Sequence, residues 1–94
     1  MFIDDPAAAV RRMIVALAPA LCHGRELGDD LELGAAGLGL DSVAAVELLL
    51  ACEREFSVAV PETLLDEGPL TIARLVSYIR RARREAPSPV ARDS

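Results

Sequence analysis

Ser42 stands between Asp41 and the apolar helical run that opens at Val43, and that setting allows three kinds of chemistry. As a helix cap, its oxygen would accept one of the unpaired N–H groups of the first turn, the usual work of a serine before an apolar helix. Asp41 can serve in the same way. As a nucleophile it would need a base held in place by a third group. His23 is the only histidine in the chain and has no evident third partner. As an acceptor for covalent modification by another enzyme, it needs only to be accessible at a loop-to-helix junction beside an acid. The segment Gly37-Leu38-Gly39-Leu40-Asp41-Ser42 has no lysine and is not a phosphate-cradling loop. Modification from outside fits best.

The other reactive side chains offer less. Cys22 and Cys52 are a single pair, where a small secreted scaffold usually carries four or more cysteines, so no disulfide framework is expected. Cys52 reads as an inert packing residue, and Cys22 and His23 receive no role. One histidine and two cysteines do not make the four-ligand set of a structural zinc, so no metal is expected. No apolar run reaches the ~18–20 residues that cross a bilayer. The opening Met1-Phe2-Ile3-Asp4-Asp5 lacks the positive region of a signal peptide. These features point to a reducing, cytoplasmic setting away from membranes. Fifteen acidic residues against ten basic ones, all arginine, give a formal charge of −5. That balance argues against binding a nucleic-acid backbone.

The elements that must position Ser42 follow from composition and periodicity. A chain of 94 residues is one domain, and with only 3% aromatics its core must be filled by Leu, Val, Ile and Ala. Small packed helices suit that, which makes the expected fold all-α. Asp5-Pro6 starts a first helix over about 6–18, with Val10, Met13, Ile14 and Leu17 as its apolar stripe and Pro19 ending or kinking it. From Cys22 to Asp41 no period is visible. Five glycines alternate there with Leu27, Leu31, Leu33, Leu38 and Leu40, which reads as a long loop pinned over the core. Loops of that length in small domains are usually functional.

The clearest helix runs from Val43 to about Phe56. Pro61 opens a short helix through Asp66, and Gly68-Pro69 stops it. Thr71 caps a last helix with Ile72, Leu75, Val76 and Ile79 at i, i+3, i+4 and i+7. Arg80, Arg81, Arg83 and Arg84 then fall at its C-terminal end, where the dipole favours cations, and read as a solvated helix end. The domain spans 1–85, and 86–94 reads as a disordered tail. Three longer helices and one short one make a small four-helix bundle, with the long loop between the first two.

At about 100° per residue the helix over 43–56 divides into two faces. Ala45, Leu48, Leu49, Cys52 and Phe56 form a core stripe. Val43, Val46, Glu47, Leu50, Glu53 and Arg54 form a second sector, with Ser42 on the same side. Aliphatic residues interleaved with charges are what a transient docking surface needs. The alternative is that Val43, Val46 and Leu50 widen the core contact.

Leu38-Gly39-Leu40-Asp41-Ser42-Val43-Ala44-Ala45-Val46-Glu47-Leu48 closely resembles the attachment motif of acyl carrier proteins. The resemblance continues through Glu53-Arg54-Glu55-Phe56, Val60-Pro61 and Ile72 to Ile79, and covers about residues 6–84. It implies that Ser42 receives 4′-phosphopantetheine from coenzyme A through a phosphopantetheinyl transferase. It implies a carrier rather than an enzyme, with a terminal thiol that holds acyl groups as thioesters. The family's recognition surface carries over to Asp41, Val43, Val46, Glu47, Leu50 and Glu53, with Arg54 beside them. Implied partners are the transferase, an acyl-loading enzyme (an acyltransferase or adenylate-forming ligase), and a ketosynthase or other acyl-processing enzyme.

Two departures narrow the expectation. Ala44 and Arg54 stand where typical fatty-acid carriers have acids, while Gly39-Leu40-Asp41-Ser42 followed by Ala44-Ala45-Val46-Glu47-Leu48 looks like polyketide carriers. The Arg-only, Ala-rich composition suggests a high-GC bacterial gene, a setting in which natural-product pathways are common. Met1 near the first helix and a short tail suggest a free-standing, monomeric carrier for such a pathway. The alternatives are a carrier of fatty-acid synthesis, or a helical interaction module in which Ser42 is only a cap.

Overall fold

The computed structural model describes residues 5–85, and the tail expected over 86–94 lies outside the described residues. The chain forms α1 (Pro6–Leu17), α2 (Pro19–Cys22), α3 (Ser42–Phe56), a 3-10 helix (Glu62–Asp66) and α4 (Ile72–Glu85). Among the described residues there is no strand, only an isolated antiparallel bridge between Glu32 and Thr71. The architecture is the expected all-α bundle of three longer helices and one short one, with a further single turn at α2.

α1 starts as its sequence dictates, with Pro6 in the first helical position and the Asp5 carboxylate accepting the Ala7 N–H at 3.2 Å. It ends at Leu17, a residue earlier than periodicity suggests, because Ala18 turns the chain (φ −140°) and Pro19 begins the new turn of α2. Proline here restarts a helix as well as stopping one, since its missing N–H costs nothing in a first turn. The short helix after Pro61 is 3-10 rather than α. Six residues between Pro61 and Gly68-Pro69 leave little room for i→i+4 bonds, and the chain closes Leu64 N–H to the Pro61 carbonyl (3.1 Å) instead. The Thr71 hydroxyl caps α4 by accepting the Arg74 N–H at 3.1 Å.

Val10 and Ile14 of α1, Leu48, Leu49 and Cys52 of α3, and Ile72, Leu75 and Ile79 of α4 meet in one core. Leu33, Leu38 and Leu40 of the long loop are buried against them, as their alternation with glycine suggested. Phe56 departs from expectation. It lies half-buried at the margin of the core, with the Arg83 guanidinium 5.8 Å from its ring centroid. As the last residue of α3 it packs only partly against the core, and its ring also takes a cation.

The path from α2 to α3 is held by specific bonds. Arg11 of α1 donates its Nε–H to the Leu27 carbonyl at 2.8 Å and pairs with Asp29. Leu33 N–H bonds the Leu70 carbonyl (2.8 Å), Leu38 N–H that of Glu32 (2.8 Å) and Leu40 N–H that of Leu33 (2.9 Å). The turn at Gly37 is so close that a Cβ there would lie 1.9 Å from the Glu32 carbonyl oxygen. The loop therefore delivers the chain to Asp41 along a defined route.

Candidate functional site

Ser42 is the first residue of α3 and is exposed. The cap is Asp41, whose backbone is extended and whose Oδ1 accepts the Ala44 N–H at 2.8 Å. Of the two cap candidates in the sequence the structure selects Asp41, which leaves the Ser42 hydroxyl outside the capping bond. The hydroxyl also stands at the positive end of a 15-residue helix, an environment that favours a phosphate ester.

A cleft of about 210 Å³ opens beside Ser42. Leu33, Leu40 and Ala45 line it together with Leu65, Pro69 and Leu70. An exposed primary hydroxyl, a helix N-terminus and an adjoining apolar cleft fit a phosphate-linked, partly apolar group such as 4′-phosphopantetheine.

The outer face of α3 carries Val43, Glu47, Leu50 and Arg54 at i, i+4, i+7 and i+11, all in solvent. Val43 is 66% and Leu50 45% exposed, so these two do not widen the core contact. Val46 is half-buried at the edge of the stripe. Glu53 stands apart from the others, because its Oε2 accepts the Val60 N–H at 2.7 Å and is spent on holding the chain after α3. Helical spacing could not show this, since the partner lies in an irregular segment. Towards α1 the stripe borders a groove of about 480 Å³ lined by Met13, Ala16, Leu17, Leu50 and Ala51, with Glu47 and Arg54 beside it. Periodicity alone did not reveal the groove, which depends on how α1 and α3 pack.

Cys52 is fully buried, and burial, with a smaller contribution from the charge of Glu55, pushes its thiol up to about 12. Thiolate is the reactive form. Iodoacetamide at pH 8 is therefore expected to leave Cys52 unlabelled in the native protein and to label it after unfolding in urea, as read by peptide mass. Labelling of Cys52 at equal rates in both states would contradict the packing described. Its neutral form also sets a sign on stability. The folded value lies above the unfolded one, so stability falls as pH rises from about 9 towards 12.

Cys22 is buried with its Sγ 3.9 Å from the Ile14 carbonyl, and His23 is exposed beside it. Among the described residues no group of His, Cys, Asp or Glu is arranged to hold a metal ion, and no helix is long and apolar enough to cross a membrane.

The family described as "phosphopantetheine attachment site" matches residues 22–79. That span takes in the long loop, all of α3, the 3-10 helix and α4 as far as Ile79. No curated protein and no solved structure matches the chain. Proteins of this family work with a phosphopantetheinyl transferase and with acyl-processing enzymes. The match covers more than half of the 94 residues, and the chain belongs to the phosphopantetheine attachment-site family, as a non-catalytic acyl carrier whose covalent cofactor is 4′-phosphopantetheine.

Proposed function

We propose that Ser42 is the attachment residue and that residues 1–85 form the carrier unit. One observation carries this reading: an exposed hydroxyl at the start of α3, relieved of capping by Asp41, opens beside an apolar cleft. When attached, the cofactor supplies a thiol on which acyl groups are held as thioesters. The chain's own contribution is placement. The N-terminal end of α3 favours the negative charge of the phosphodiester, and the tether keeps cargo at high effective concentration once a partner is docked.

The docking surface in this reading is Asp41, Val43, Val46, Glu47, Leu50 and Arg54, with Glu53 left out because its carboxylate serves Val60. Repeated hand-over needs weak, fast-exchanging contact, which a narrow stripe of aliphatics and charges supplies. Glu47→Arg is expected to raise the transferase's KM for the carrier roughly fivefold or more with an unchanged circular dichroism spectrum. An unchanged KM would take this stripe out of the docking surface.

We assign the cargo to a natural-product pathway of the polyketide kind, on Ala44 and the exposed Arg54 of α3, which stand where the more uniformly acidic helix of fatty-acid carriers has acids. The deciding experiment is intact mass before and after incubation with coenzyme A, Mg²⁺ and a broad phosphopantetheinyl transferase, with a known carrier in parallel. A gain of one phosphopantetheine on the Ser42 peptide supports attachment there. No gain in a folded sample whose control is modified would leave an interaction module. Efficient charging of the product by a fatty-acid malonyltransferase, equal to that of a housekeeping carrier, would move the cargo reading to fatty-acid synthesis.

A further inference from the structure

Arg74 of α4 is one-third exposed or less, and both terminal nitrogens of its guanidinium are engaged by backbone. Nη2 donates to the Leu64 carbonyl at 2.9 Å, and Nη1 donates to the carbonyls of Pro69 (2.6 Å) and Gly68 (3.1 Å). The Glu67 carboxylate lies 3.8 Å away. All three carbonyls belong to the segment over 64–70, whose Leu65, Pro69 and Leu70 line the same cleft as Ser42.

That segment holds itself weakly. The 3-10 helix has no side-chain cap, its closing bond from Glu67 N–H to the Leu64 carbonyl is 3.4 Å long, and Gly68 adopts φ +134°. Beyond Arg74, the segment is tied to the rest of the molecule through the apolar side chains of Leu64, Leu65 and Leu70, the Leu33–Leu70 bond and the Glu32–Thr71 bridge at its far end, none of which engages the carbonyls of Leu64, Gly68 or Pro69. Three carbonyls that converge on one planar fork are a task for arginine, since a lysine is a point donor on a flexible stem. The helices do not need this clamp. Thr71 caps α4, and the core stripe of Ile72, Leu75, Val76 and Ile79 is separate from it.

We propose that Arg74 is a positioning residue: it holds this wall of the cleft at a fixed distance from Ser42, and so lets a group tethered at Ser42 lie against the chain. The proposal rests on the reading of Ser42 as the attachment residue. Without the guanidinium the three carbonyls turn to water, the wall drifts, and the cleft loses its shape while the bundle remains.

The test has two readouts on Arg74→Gln and Arg74→Lys. In amide hydrogen exchange, Leu64 and Glu67 are expected to exchange about tenfold faster in Arg74→Gln, with α1 and α3 unchanged and Arg74→Lys intermediate. On protein carrying a butanoyl-phosphopantetheine, verified by intact mass, loading is expected to shift the resonances of Leu40, Ala45, Leu65 and Leu70 in the wild type. Those shifts are expected to be lost in Arg74→Gln. Equal exchange in wild type and Arg74→Gln, or loading shifts of equal size, would overturn the proposal. If mass shows that the wild type takes no cofactor, or takes it elsewhere than Ser42, the attachment reading fails, and the exchange comparison alone decides whether Arg74 holds the wall. Should Arg74→Gln not fold, Arg74→Lys, which keeps the charge and loses the fork, carries both readouts.

Discussion

Ser42→Ala is expected to fold as the wild type does and to gain no mass with coenzyme A and the transferase. The loss of modification is complete in this reading, because no other hydroxyl occupies the first turn of α3. The stability change is expected to stay within about 0.5 kcal/mol, the scale of a surface substitution, since the capping bond belongs to Asp41. Asp41→Ala gives the opposite pattern. It removes the acceptor of the Ala44 N–H and is expected to cost about 1 kcal/mol, while keeping the hydroxyl proposed for attachment. Urea melts and intact masses of the two variants separate the two roles. A Ser42→Ala protein that still gains mass would place attachment elsewhere, and one destabilised as much as Asp41→Ala would return Ser42 to capping.

The second large effect is at Gly37. A Cβ at this position meets the Glu32 carbonyl oxygen at 1.9 Å and its carbon at 2.8 Å, and backbone cannot swing aside as a side chain can. Gly37→Ala must open the turn that bonds Leu38 N–H to Glu32, and that turn keeps Leu38 and Leu40 in the core and Glu32 beside Thr71. Overpacking of this kind costs about 2–3 kcal/mol. Because the same turn leads into Asp41 and Ser42, modification is expected to slow as well. Gly28→Ala is the control, since nothing lies within 4 Å of its Cβ position and its backbone needs no positive φ. It is expected to be neutral or slightly stabilising through the unfolded chain. Equal melting midpoints for the two variants would show that the loop does not hold its course through Gly37.

Much of this protein was readable without coordinates, and for one reason. Caps, helical stripes and breakers act over a few residues, so local residue order already tells where α1, α3 and α4 run, that Asp5 and Thr71 cap, and which faces carry Leu48, Leu49, Ile72 and Ile79. The attachment motif is local too, running from Leu38 to Leu48. How segments distant in the chain meet is a matter of packing in three dimensions. The choice of Asp41 over Ser42 as cap turned on backbone angles at the end of a pinned loop. The Glu53 carboxylate is tied to the chain after α3 because Val60 presents an N–H within 2.7 Å. Arg11 and Arg74 carry no period and match no motif, yet each guanidinium reaches backbone carbonyl oxygen outside the α-helices. Their partners are 16 and 10 residues away in the chain. A planar cation can satisfy any carbonyls that happen to converge on it, so its sequence neighbours reveal nothing of where it binds. The packing of the helices brings those carbonyls together, and with them the cleft beside Ser42.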